Sequence, residues 1–133
     1  MRVRCLSLLA LGLLACSSSS SGDAPTPSNV DRTKKISAAV SADLPLVCDA
    51  WAAGVGGYGK PDNTQDCGSV KNTARAPASQ SDCVSMLAGE SVSSCTATIG
   101  AFLDCQIALY AKPCATVGEA PSCAALFPGP CWH

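Results

Sequence analysis

Ten cysteines, a single histidine and one glycine-rich stretch are the residues of this chain whose types and spacing could do chemistry. A zinc site would bring cysteines close together as Cys-x₂₋₄-Cys, and a thiol–disulfide exchanger would carry Cys-x-x-Cys. Neither spacing occurs, because the shortest gap is the seven residues between Cys123 and Cys131. The stretch Gly54-Val55-Gly56-Gly57-Tyr58-Gly59-Lys60-Pro61 satisfies Gly-x-Gly-x-x-Gly and nearly satisfies the P-loop pattern. A phosphate cradle needs a strand before it, a helix after it and a hydroxyl for Mg²⁺. Here Pro61 replaces the hydroxyl, a helical pattern precedes and turn residues follow, so the glycines read as a helix stop and no nucleotide partner is expected.

The remaining candidates are weaker in context. Gly89-Glu90-Ser91-Val92-Ser93 is one glycine short of a nucleophile elbow, a turn that must follow a strand. His133 ends the sequence, where no rigid frame orients a base. A hydrolase would have to gather Ser91, His133 and one of Asp49, Asp104 or Glu119. Asp62, Thr64, Asp66 and Gly68 alternate oxygens like a calcium loop, but the glycine is misplaced and Thr73 stands where the closing glutamate belongs. The expectation is no enzyme, no metal and no cofactor.

What positions these residues begins with the amino-terminal segment. Arg2 and Arg4 precede the apolar run 6–14, which has the layout of a secretory signal. The run is far shorter than the roughly 20 residues of a membrane-spanning helix. Leu13-Leu14-Ala15-Cys16, followed by Ser17-Ser18-Ser19-Ser20-Ser21, resembles the lipobox of bacterial lipoproteins. That resemblance implies a signal peptide over 1–15 and a lipidated Cys16 (diacylglycerol on sulfur, an acyl chain such as palmitate on the new amino terminus). It also implies a cell-envelope protein anchored in the membrane by lipid. Ser17, rather than Asp, after the lipidated cysteine implies the outer membrane, on its periplasmic or surface side. Two or more acyl chains anchor stably, at ~0.8 kcal/mol per buried CH₂.

Residues 16–29 read as a disordered Ser/Pro-rich tether reaching roughly 20 Å, and residues 30–133 as one cysteine-rich helical domain. Without Arg2 and Arg4, seven Lys and Arg face ten Asp and Glu, so the net charge moves from −1 to −3. The one basic cluster is Arg32, Lys34 and Lys35, so no nucleic-acid partner is expected.

Cys5 leaves with the leader and Cys16 is lipidated, so eight cysteines remain: Cys48, Cys67, Cys83, Cys95, Cys105, Cys114, Cys123 and Cys131. An even number in a small exported domain reads as four disulfides, with 105 pairings open. A core this thin supplies about 3–5 kcal/mol, against about 2–4 for each disulfide. The expected class is all-α, with about four short helices and long loops. Ile36, Val40, Leu44, Val47, Trp51 and Val55 draw a helical stripe that Pro45 interrupts, predicting helices over 31–41 and 44–54 with Asp43 as the second one's N-cap. Ser79 starts a helix over 80–89 that carries Cys83, Met86 and Leu87 inward. Thr98 caps the clearest stripe, Ile99, Phe102, Leu103, Gln106, Ile107 and Tyr110, and a short helix is expected near 120–126. Strand signals are nearly absent, with a short extended piece near 69–73.

Tyr58 in the glycine loop and Trp132 in the tail are the candidate platforms for a partner, since protein and glycan ligands stack on such rings. The lipobox, the serine tether and the phrases Cys48-Asp49-Ala50-Trp51 and Gly56-Gly57-Tyr58-Gly59 resemble the small cysteine-rich lipoproteins of myxobacterial type. No catalytic residue comes with that resemblance. The expected function is a rigid, disulfide-stapled interaction module that binds an envelope protein or glycan. The alternatives are a small protease-inhibitor or toxin-like domain displaying residues 58–73, and the hydrolase above.

Overall fold

The computed structural model describes residues 29–116, 119–126 and 131, with the backbone alone at Glu90 and Ser91. The leader, Cys16, most of the tether, Trp132 and His133 lie outside the described residues. The elements in order are a 3₁₀ turn Ile36–Ala38, α1 Leu44–Val55, β1 Asn63–Cys67, β2 Val70–Ala74, α2 Gln80–Leu87, the single turn α3 Glu90–Ser93, α4 Ile99–Ala111 and a 3₁₀ turn Pro121–Cys123. The class is therefore a small disulfide-rich domain of helices with a two-stranded sheet, which corrects the all-α expectation.

Helix α1 begins as its composition directs, with Pro45 in the first turn where a missing N–H costs nothing. Asp43 does not cap it. Its carboxylate turns back to accept from the Val40 N–H (2.8 Å) and pairs with the Lys34 ammonium. That ammonium holds the Asp43 carboxyl below the usual carboxylate range. Leu44, Val47, Cys48, Trp51 and Val55 are buried along one face of α1. Gly56, at φ 91°, ends the helix, with the Gly56 N–H donating to Ala53 and the Gly57 N–H to the Ala52 carbonyl. This is a Schellman stop, which only glycine enters without strain.

Helix α4 crosses α1 closely. A Cβ added at Gly54 would run into the Ile107 side chain, so the glycine is where the two helices meet. Ile99, Phe102, Leu103 and Cys105 are buried, whereas Gln106, Ile107 and Tyr110 are half-buried. Thr98 caps α4 through the Ala101 N–H, and Ser79 caps α2 through the Asp82 N–H, both as expected. Met86 is not carried inward; it is 50% exposed, while Cys83 and Leu87 are buried.

The predicted helix over 31–41 is instead an extended arm with one 3₁₀ turn. Ile36 is buried, but Val40 is 56% exposed, so the sequence spacing there does not describe one buried face. The arm lies antiparallel to residues 97–100: the Ile36 N–H donates to Ala97, the Ile99 N–H to Lys34 and the Gly100 N–H to the Arg32 carbonyl. The first two donors of α4, which no helix can satisfy internally, are thus filled by arm carbonyls and the third by the Thr98 hydroxyl. A methyl on Gly100 would approach the Arg32 oxygen to 3.0 Å and push the arm away.

The hairpin that replaces the expected loop turns on Gly68 and Ser69, with Gly68 at φ 79°. Glycine at the first of two loop residues is the type II′ signature. Its register pairs Asn63 with Ala74 and Cys67 with Val70. Residues facing α4 anchor it: the Asn63 amide donates to the Tyr110 carbonyl (2.7 Å), the Asn72 amide to Pro113 (3.1 Å), and Cys67 bonds Cys114.

All eight expected cysteines pair: Cys48–Cys83, Cys67–Cys114, Cys95–Cys131 and Cys105–Cys123. The first ties α1 to α2, the second the hairpin to the end of α4, and the fourth α4 to the 3₁₀ turn Pro121–Cys123. Their spans overlap along the chain, so no bridge closes an isolated loop. No helix among the described residues is long and apolar enough to cross a membrane.

Candidate functional site

Trp51 of α1 and Phe102 of α4 meet edge to face, ring centroids 5.9 Å apart. Together with Leu87 of α2 and Leu109 of α4 they floor a half-open groove of about 870 Å³, a size typical of ligand sites. The groove takes one wall from residues 71–75 of the hairpin and another from Met86 and Val92, and Cys123 and Cys131 close its end. Lys71 and Arg75 are its charged lining residues, and Gln106 adds an amide. The Trp51 indole Nε1 is buried and makes no hydrogen bond. All four bridges hold elements or residues that line the groove, so its shape is set covalently as well as by core packing.

A second polar node lies on the other side of α1. The Tyr58 hydroxyl donates to Asp49 at 2.7 Å, and the Gln80 amide donates to the same oxygen at 2.8 Å. Tyr58 is half-buried, so its ring braces the glycine loop against α1 rather than standing free as a platform. Burial, and then the neighbouring Asp49 carboxylate, push the Tyr58 phenol above the usual tyrosine range. In the unfolded chain the phenol ionises near pH 10. A raised folded value means the folded state keeps the proton longer, so this stabilisation is complete below about pH 10 and declines as pH rises beyond it. An ultraviolet phenolate titration should show a late-ionising phase from Tyr58. The Tyr58→Phe variant should lose that late phase; its persistence would refute the assignment.

The other residues singled out in the sequence fall as follows. Gly56 and Gly57 terminate a helix, and Gly59 donates its N–H to the Pro77 carbonyl (2.9 Å). Asp62 and Asp66 flank and enter β1, where they face Arg75 at 4.0 Å and Lys71 at 3.7 Å. Asp104 pairs with Arg32, and Glu119 accepts from the Thr116 N–H and hydroxyl, which hold its carboxyl low. Among the described residues no three of His, Cys, Asp and Glu converge as metal ligands would. Cys16, Trp132 and His133 lie outside the described residues, as does the Ser91 side chain.

The groove itself was not among the sequence-derived candidates. Its residues come from elements that helix packing and the disulfide pairing bring together, and the spacing of cysteines could not choose that pairing. The single available signal was Gly68-Ser69, a hairpin turn whose flanking strands carry no apolar alternation. Comparison with protein-family models, with curated proteins and with solved structures finds no match for this chain.

Proposed function

We propose that this protein is a lipid-anchored cell-envelope binding module that holds a ligand in the groove between the hairpin, α1, α2 and α4. The observation that carries the reading is the half-open apolar groove with disulfide-pinned walls. Trp51, Phe102 and Leu87 are core side chains that reach the groove floor, and Met86, 50% exposed on its wall, is the large apolar side chain a ligand would cover. The anchor is proposed from the lipobox-like Leu13-Leu14-Ala15-Cys16, with residues 16–29 as tether.

A photo-crosslinking residue at Met86, on the groove, should capture a specific partner in intact cells, and the same residue at Val40 should not. Equal capture at both positions, or none at Met86, would overturn the groove as the binding face. Metabolic labelling should place palmitate on the wild type and leave Cys16→Ala unlabelled; an unlabelled wild type removes the anchor from the reading. A second reading is favoured by one observation: the exposed hairpin turn Gly68-Ser69 next to the Cys67–Cys114 bridge resembles a displayed inhibitory loop. Residues 58–73 would then engage a protease, and inhibition across a protease panel that Ser69→Pro abolishes would support it.

A further inference from the structure

We infer that the groove receives an extended peptide of alternating apolar and acidic residues, added to the free edge of β2 as a third strand. This rests on the reading of the domain as a binding module and names the chemistry of its ligand. The groove is lined by five consecutive residues, 71–75, and by none of β1. A sheet that turned its face to the groove would present every second residue of both strands. Consecutive residues from one strand are what an edge presents.

The hydrogen-bonding sense of that edge follows from the turn. A two-residue loop makes Cys67 and Val70 a bonded pair, and the alternation of an antiparallel ladder then bonds Gln65 with Asn72 and Asn63 with Ala74. The N–H and C=O groups of Lys71 and Thr73 consequently point away from β1. Among the described residues no third strand covers them and neither backbone bonds to another element. Natural proteins ordinarily blunt an open edge, because it is a template for pairing with another chain. Here the edge runs beside an apolar floor.

Side-chain parity sets the composition of the incoming strand. Asn63, Cys67 and Asn72 face α4, through Tyr110, Cys114 and Pro113. An added strand therefore points alternate side chains toward Phe102, Leu109 and Leu87, and the others stand beside Lys71 and Arg75. Among the described residues the groove lining holds these two cations and no Asp or Glu. Their present partners, Asp66 and Asp62, are distant and highly exposed, and such pairs are worth about 0–1 kcal/mol. A ligand carboxylate can displace them. Main-chain bonds would supply affinity and the floor would supply selection, as in other strand-addition sites.

The test uses the oxidised protein with acetyl-capped pentapeptide amides of pattern X-Glu-X-Glu-X, where X is Val, Ile, Leu or Phe. Calorimetry should find saturable binding below about 1 mM for at least one member. N-methylation of one alternate set of peptide amides should weaken it by about tenfold or more, and of the other set far less. The Lys71→Glu/Arg75→Glu variant should prefer the Lys-substituted peptides. Thr73→Pro, which removes an outward N–H while leaving the β1 ladder, should reduce binding with the fold intact by circular dichroism. Binding indifferent to N-methylation, or no peptide bound, overturns the inference. If dodecanoate binds where no peptide does, the strand-addition idea fails while the binding module stands. If nothing binds and Met86 captures no partner, both fail.

Discussion

Replacing Cys48 and Cys83 together by alanine is expected to lower the unfolding free energy by about 5 kcal/mol, against about 3–4 for the Cys67/Cys114 pair. Chain entropy alone ranks them the other way. The bridges span 35 and 47 residues, and the longer loop should be worth only ~0.3 kcal/mol more. Burial decides the order. Cys48 and Cys83 are 0% and 2% exposed, in the seam between α1 and α2, whereas Cys67 and Cys114 are only partly buried. Deleting the inner pair removes the crosslink and also leaves a void that this small core has few side chains to fill. Since a domain of this kind has about 5–15 kcal/mol in all, the inner double variant should sit near the edge of unfolding at growth temperature. Guanidinium unfolding of both variants, without reductant, measures the difference. A larger loss for the outer pair would mean that tethering the hairpin outweighs core packing.

The second large effect is at Trp51. Trp51→Ala should cost about 3–5 kcal/mol, because it empties the largest side chain in the core and exposes the Phe102 edge it packs against. Trp51→Phe should cost about 1 kcal/mol or less. Losing the larger ring is unfavourable, but the indole Nε1–H is buried without a partner, and such a donor carries a penalty of about 1–3 kcal/mol that phenylalanine lacks. The two terms nearly cancel. The same unfolding experiment tests this, and a Trp51→Phe loss close to that of alanine would show that the N–H has a bonded partner in solution.

These two residues also mark how far the sequence could be read. Trp51 and Cys48 share a stripe with Leu44, Val47 and Val55, so their inward orientation followed from helical spacing before any pairing was known. The four caps and stops that glycine, proline, serine and threonine provide at Pro45, Gly56, Ser79 and Thr98 were legible for the same reason: each acts within four residues of itself. Of the hairpin only a short extended piece near 69–73, which is β2, was legible; β1 and the pairing were not, because both strands are exposed on nearly all positions. With no buried face there is no apolar alternation to detect, and its stability comes from amide bonds and a disulfide to residues 41–47 positions away. The arm misled for the opposite reason. Ile36 and Val40 have helical spacing, yet the backbone of the arm over Arg32, Lys34 and Ile36 is claimed by residues 97–100, 61 or more residues downstream. The groove takes a wall from the hairpin, the nonlocal event the sequence did not announce.

The filling of the α4 amino terminus by arm carbonyls has a mechanical consequence. A pull applied from the amino-terminal side loads the arm first, and its bonds at Arg32, Lys34 and Ile36 lie in a row, so they break one after another at low force. No crosslink lies between them and Cys48, while everything from Cys48 to Cys131 is spanned by overlapping covalent loops. Under such a pull the arm is therefore the part that can detach while the stapled body keeps its shape.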